Sequence, residues 1–217
     1  KNVVDKYEDV VLECEVIGSP NPTIHWLKNG KRILQGSSQN FKDDVPQYEL
    51  NDVSGTSKLQ LAGTRSNLYL DCVNEADEGV YTCVAETPTL RKTQSHTVTI
   101  GGSSFDDLPG ESRKCGSKNS RGKPARIYMW SKSRFEYNHV VTQLYCRAQG
   151  NPTPSIAWID ASGKPIVSED GYKITNSGDL VIMNPNWEEH MGSYTCIADN
   201  GVGTDSQSTF FYPVSET

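Results

Sequence analysis

The side chains whose spacing serves covalent chemistry are six cysteines, at positions 14, 72, 83, 115, 146 and 196. Disulfide formation is the chemistry they offer, and it needs an oxidising compartment. Little else in the chain suggests reactivity. The four histidines (25, 96, 139 and 190) share no ligand spacing with one another or with carboxylates, and no nucleophile elbow, Gly-rich phosphate loop or HExxH motif occurs. Acid pairs such as Glu188-Glu189 and Asp106-Asp107 are adjacent on loops and read as solvated. The expectation is a protein that is not an enzyme, with no metal and no cofactor.

The elements that must position the cysteines are written twice. From Cys14 the chain reads Cys-x3-Gly18-x-Pro20-x-Pro22-x-Ile24-x-Trp26, and from Cys146 it reads Cys-x3-Gly150-x-Pro152-x-Pro154-x-Ile156-x-Trp158. Each copy closes on Gly-x-Tyr-x-Cys, through Gly79, Tyr81 and Cys83, then Gly192, Tyr194 and Cys196. A cysteine, a tryptophan twelve residues on, and a second cysteine two residues after a tyrosine make the inter-sheet pin of an immunoglobulin sandwich. Cys14–Cys83 and Cys146–Cys196 would cross the two cores, Trp26 and Trp158 would pack against them, and Tyr81 and Tyr194 would tie the corners into strand F.

The fold class is therefore all-β: two tandem immunoglobulin-like β-sandwiches of roughly 100 residues each. Residues 1–101 form the first, 102–123 a linker, and 124–217 the second. Fifty residues between cysteines, Gly178-Asp179-Leu180 before strand F and Asn200-Gly-x-Gly203 after it make the second an intermediate-type (I-set) domain. The first separates its cysteines by 69 residues. The excess falls in the 34–62 segment between strands C and E, as extra strands of a variable-like domain or as a flexible insertion in an I-set one. Polar turns at 36–40 and 52–57 favour hairpin-linked edge strands with a mobile tip.

Cys72 and Cys115 remain. Cys72 ends strand E at the pole where strand G leaves the first domain, and Cys115 follows that exit by about fifteen residues, so a bridge between them is geometrically sensible. It would tie the linker back and, by chain entropy, add up to roughly 4 kcal/mol. The other reading is a pair of free or intermolecular thiols.

Composition bounds the partners. Net charge is −6, yet eight Lys/Arg and no Asp/Glu lie between Ser112 and Phe135. Arg121, Lys123 and Arg126 in that run are candidates for a polyanion such as heparan sulfate; the alternative is a solvated linker or a protease-cleavable loop. Nothing in the fold supports nucleic-acid binding. Six cysteines patterned for bridges point to a secreted or cell-surface chain. No apolar run reaches the ~18 residues of a membrane span and no leader remains at Lys1, so a secreted, extracellular chain with its leader removed is expected. Asn21, Asn151 and Asn184 each precede proline and no N-glycosylation sequon occurs, which leaves the faces open.

Ile127-Tyr128-Met129-Trp130 begins the second domain with large groups on both faces of a strand. On strand G, counting from Gly203 turns Phe211 inward and Phe210 and Tyr212 outward. Exposed aromatic surface of a few hundred Å² marks an interface. Ile127, Tyr128, Met129, Trp130, Phe210 and Tyr212 are thus partner-binding candidates; the competing reading is that the first domain packs over them. His190 stands six before Cys196, where the first copy has Asp77 six before Cys83, a change expected to remove a salt bridge.

Lys123-Pro124, Arg126-Ile127, Cys146-Arg147, Trp158, Gly178-Asp179-Leu180, the Met191–Ala198 stretch and Phe210-x-Tyr212-Pro213-Val214 carry a family resemblance. The chain resembles the secreted two-immunoglobulin (zwei-Ig, ZIG) proteins of nematodes. It is similar to the insect Imp-L insulin-binding proteins and, more distantly, to immunoglobulin proteins related to insulin-like-growth-factor binding. The resemblance implies capture of an insulin-like peptide on an extended β surface built from both domains, and a role in the nervous system, including maintenance of axon position. The alternative is an adhesion protein that binds another immunoglobulin-family surface protein through the C, F and G strands of the first domain.

Overall fold

A computed structural model describes residues 2–36, 44–101, 115, 122–169 and 171–216. The first half contributes β1 (Asn2–Asp5), β2 (Val10–Gly18), β3 (Thr23–Lys28), β4 (Lys31–Arg32), the short helix α1 (Gln47–Leu50), β5 (Leu61–Leu70), β6 (Gly79–Glu86) and β7 (Arg91–Gly101). The second contributes β8 (Lys123–Tyr137), β9 (Thr142–Leu144), β10 (Cys146–Asn151), β11 (Ser155–Ile159), β12 (Tyr172–Ile174), β13 (Leu180–Ile182), the short helix α2 (Trp187–His190), β14 (Gly192–Asp199) and β15 (Thr204–Val214). The result is two immunoglobulin-like sandwiches.

Each sandwich is built by period-two alternation. On β2, Leu12 and Cys14 are buried while Val11, Glu13 and Glu15 are exposed, because successive side chains of a strand point to opposite faces. Disulfides join Cys14 to Cys83 and Cys146 to Cys196, with Cα–Cα separations of 6.4 and 6.5 Å. Trp26 and Trp158 are fully buried against them. The Trp158 indole N–H donates to the Gly178 carbonyl (2.8 Å). Gly178 has φ +102°, and a Cβ there would meet Ile156 and the Cys146 carbonyl at 2.6 and 2.7 Å, so glycine is required at this close approach. The Tyr81 hydroxyl donates to the Asp77 carbonyl (2.6 Å) and the Tyr194 hydroxyl to the His190 carbonyl (2.9 Å), closing both corners. A third bridge joins Cys72 to Cys115, Cα–Cα 5.8 Å, and fixes Cys115 beside the end of β5.

The two sandwiches share a sheet. One five-stranded sheet, β1-β7-β6-β3-β4, belongs to the first half; a three-stranded sheet, β12-β13-β9, belongs to the second. The remaining sheet runs β11-β14-β15-β8-β5-β2, with β10 also paired to β8. The strand that joins the halves is β8. Its first part pairs with β10 and its last part runs parallel to β15, from Phe210↔Ser133 to Val214↔Tyr137. Along the other edge β5 pairs with it from Ser66↔Met129 to Leu61↔Phe135.

The 44–60 segment departs from the expected hairpin-linked edge strands. It holds α1 and irregular chain, while residues 37–43 lie outside the described residues. The physical reason is Glu49. Its carboxylate is buried and accepts from the Arg134 guanidinium and from the Gln143 N–H (2.8 Å), both in the second half. Glu136, also buried, pairs with Arg134 (2.8 Å) and accepts the backbone N–H groups of Leu59 (2.7 Å) and Gln60 (2.9 Å). The N–H groups of Tyr48, Leu59 and Gln60 go to the neighbouring sandwich, and those of Glu49 to Asp52 bond locally, so no hairpin ladder forms here.

Candidate binding surface

The apolar run on β8 has a structural cause. Between two sandwiches, β8 buries residues 127 and 129–131, and only Tyr128 is half-buried. Ile127 and Trp130 enter the core of the second sandwich with Trp158, Tyr194 and Phe211. A register shift at Tyr128 turns Met129 the other way, into the core of the first with Trp26, Tyr81 and Cys83. Tyr145 joins Met129 there. The Trp26 indole N–H donates to the Ser66 hydroxyl (2.9 Å), which donates to the Tyr128 carbonyl (2.7 Å). This corrects the expectation that Ile127, Met129 and Trp130 stay accessible: they are 0, 2 and 5% exposed. Here the apolar residues on both faces are buried because a sandwich core packs on each side.

Tyr128 is half-buried. Its ring packs against Gly36, and burial pushes its hydroxyl pKa up to about 12. With His25, Arg32, Arg147 and Ile156 it lines a cavity of about 260 Å³ between the sandwiches. Arg147 there is held by buried Asp179 (2.8 Å).

Beyond residue 132 the geometry changes. β8 crosses to pair with β15, and its outward side chains reach solvent. Phe211 is fully buried, while Phe210 is 43% exposed and Tyr212 half-buried. Phe210 and Tyr212 lie 6.3 Å apart by ring centroid; Tyr212 lies 5.8 Å from Phe135 and 4.8 Å from Trp187, edge-on to the latter. Register extends this ladder across the shared sheet. Leu61 stands beside Phe135, and Gly63 and Ile17 continue the row of Ser133 and Phe210. Gly63 lets the row close up, since a Cβ there would meet the Ser133 hydroxyl at 2.7 Å. Thus residues of both sandwiches (Ile17 and Leu61 from one, Phe135, Trp187, Phe210 and Tyr212 from the other) make one apolar outer face.

Phe135, Trp187, Leu61 and Ile17 are the members that sequence reasoning missed. Phe135 lies beyond the apolar Ile127–Trp130 run, and Trp187 begins the short helix α2 before β14. Only the strand pairing brings Ile17 and Leu61 alongside.

The basic candidates do not assemble among the described residues. Arg126 is clamped by Asp71 through two hydrogen bonds of 2.7 Å and stacks over Tyr69, with its centre 4.9 Å from the ring; that pairing raises its pKa. Lys123 is exposed at the start of β8, and Arg121 lies outside the described residues.

His190 replaces a function as well as a charge. In the first sandwich the Asp77 carboxylate accepts the Asn74 N–H (3.0 Å); in the second the His190 Nδ1 accepts the Asn186 N–H (3.0 Å). The ring is buried, and burial lowers its pKa below 6.5. Among the described residues no group of three His, Cys, Asp or Glu is placed to hold a metal, and no helix is long and apolar enough to cross a membrane.

Two sandwiches, three disulfides and an apolar outer face define a tandem immunoglobulin-like binding protein. Family models agree: an immunoglobulin domain matches residues 1–87 and an immunoglobulin I-set domain residues 138–211. Among curated proteins the chain is 32% identical to zwei Ig domain protein zig-4 of Caenorhabditis elegans, over 96% of this chain and 75% of that one. It is 31% identical to neural/ectodermal development factor IMP-L2 of Drosophila melanogaster, over 94% of this chain and 70% of that one. The crystal structure of IMP-L2 superposes with a TM-score of 0.69 at 27% identity, covering 98% of this chain and 89% of that one. The chain belongs to the family of two-immunoglobulin-domain proteins that includes the zwei Ig proteins and IMP-L2. That family and fold are non-catalytic.

Proposed function

We propose that this is a secreted protein that captures an insulin-like peptide on the outer face of its shared sheet and modulates the hormone's availability in the nervous system. The observation that supports this most is the aromatic ladder Phe135–Tyr212–Phe210 with Trp187, continued onto the first sandwich by Leu61 and Ile17. Hormones of this class present apolar helix faces to their receptors. A broad sheet with aromatic anchors covers such a face, and clustered aromatic side chains carry most of the energy of an interface. Family membership beside IMP-L2 supports the same reading.

The adhesion alternative would use β3, β6 and β7 of the first sandwich. The outer side chains there are chiefly polar: Thr82 and Ser95 hydrogen-bond each other (2.9 Å), Arg91, Thr93 and Thr97 are exposed, and Val80 is the one large apolar side chain among the exposed large hydrophobics on β6 and β7. This favours the shared sheet.

The test is binding of immobilised insulin-like peptides to Phe210→Ala/Tyr212→Ala and to Val80→Ser/Thr97→Ala. Loss of two anchors costs about 2–4 kcal/mol, a 30- to 1000-fold weakening at ~1.4 kcal/mol per decade. The second variant retains wild-type affinity. Unchanged hormone affinity in the first variant would remove the site.

A further inference from the structure

The shared sheet ends at β2, and among the described residues no strand pairs with its outer edge. The other sheet margins are shorter: β1 has four residues, β4 two, β11 five, β10 six, β12 and β9 three each, and β7 extends past β1 over 91–97. Short edges are a protection, because a row of unpaired N–H and C=O groups recruits foreign strands. By contrast β2 has nine residues and no proline, and it pairs with β5 without a register shift from Val10↔Leu70 to Gly18↔Ala62. Among the described residues it is a long, regular edge that no strand covers.

Its solvent face carries a pattern. Val11 and Ile17 are 46 and 72% exposed, with Glu13 and Glu15 exposed between them. Glu15 already faces Arg65 (3.2 Å) and Lys132 (3.4 Å). Glu13 makes no ion pair among the described residues. At every second position the edge thus reads apolar, acidic, acidic, apolar. In an antiparallel ladder, facing side chains interact directly, and like charges placed opposite are destabilising.

We propose that the edge of β2 docks an extended segment of a partner protein, antiparallel, with basic side chains opposite Glu13 and Glu15 and apolar ones opposite Val11 and Ile17. Main-chain hydrogen bonds supply the binding, and the alternate side chains select the partner. A second copy is the wrong occupant. Self-pairing centred on Cys14 sets Glu13 of each chain against Glu15 of the other, and the neighbouring in-phase registers set Glu13 against Glu13 or Glu15 against Glu15. The site shares Ile17 with the apolar outer face but none of the aromatic ladder on β8, β15 and α2, so the Glu13 substitution and the exchange readout test it apart from the hormone reading.

The test uses intact protein and three capped nine-residue peptides, read by fluorescence anisotropy. One has isoleucine and valine at the outer facing positions, lysine and arginine at the inner ones, and threonine elsewhere. The second replaces the basic pair by glutamates; the third keeps it but has a central proline. The basic peptide is expected to bind saturably, and the other two at least about tenfold more weakly. Glu13→Lys, with an unchanged melting temperature, reverses the preference between the first two. Amide exchange slows at residues 10–18 and not at 206–212. The proposal is overturned if the basic peptide fails to bind at about 1 mM, or if basic and acidic peptides bind alike. Protection on the Phe210–Tyr212 face, an unmoved preference in Glu13→Lys, or wild-type dimerisation with protection of β2 would equally overturn it.

Discussion

The two sandwiches grow from one repeated pattern, yet they are not equals. The second fills its own core: Ile127, Trp130, Leu144, Trp158, Tyr194 and Phe211 all come from residues after 122. The first does not. Its core includes Met129 and Tyr145 from the other half, the Ile24 N–H faces the Met129 sulfur at 3.5 Å, and the Tyr145 hydroxyl donates to the Asn21 carbonyl (3.2 Å). Each such side chain is worth about 1.5–3 kcal/mol of burial, a large share of the marginal stability of a domain this size. A tandem repeat here has become one body in which one half completes the other, and the outer face that spans them depends on that weld.

The largest effect should come from cutting the halves apart. Residues 122–217 alone are expected to fold cooperatively, whereas residues 1–101 alone, without Met129 and Tyr145, show no cooperative melt; near-ultraviolet circular dichroism reports both. A first half that melts as sharply as the intact protein would erase the asymmetry. Next is Arg134→Met. Arg134 is buried between Glu49 and Glu136, and removing the cation strands two carboxylates at a cost of about 3–5 kcal/mol in denaturant unfolding. Adding Glu49→Leu should recover part of that loss, because one stranded charge goes with it.

A smaller effect separates the two corners. His190 must be neutral to accept the Asn186 N–H, and its folded pKa lies below the unfolded 6.5 because of burial. The unfolded chain therefore binds the proton more readily. The stability His190 contributes is complete above pH 6.5 and is lost as pH falls from there toward the folded value. His190→Asp, which installs the acceptor used by Asp77, should flatten the pH dependence of melting in that window. His25, whose pKa burial and Arg32 also lower, is common to both proteins and cancels from the difference. The smallest effect is Glu15→Gln, which loosens the exposed pairs to Arg65 and Lys132 and should move unfolding by no more than about 1 kcal/mol.

The sandwiches were legible in the sequence because the cysteine, tryptophan and tyrosine spacings are local requirements of the fold. Phe210 and Tyr212 were legible for the same reason: alternation along one strand decides which side chain faces out. What alternation could not supply was the identity of β8's neighbours. Ile127-Tyr128-Met129-Trp130 read as apolar on two faces, and with no knowledge of β5 alongside, a second buried face could not be told from an exposed one. The 34–62 segment failed similarly. Polar residues suggested turns, while Glu49 and the N–H groups of Leu59 and Gln60 were destined for partners 76 to 94 residues away. Long-range pairings of that kind leave no mark on local periodicity.

Amide hydrogen exchange of the intact protein, with and without an insulin-like peptide it captures, tests the account most directly. The expected result is one continuous footprint on β5, residues 133–137 of β8 and β15, crossing from one sandwich to the other. A footprint confined to a single sandwich, or lying on β3, β6 and β7, would contradict it.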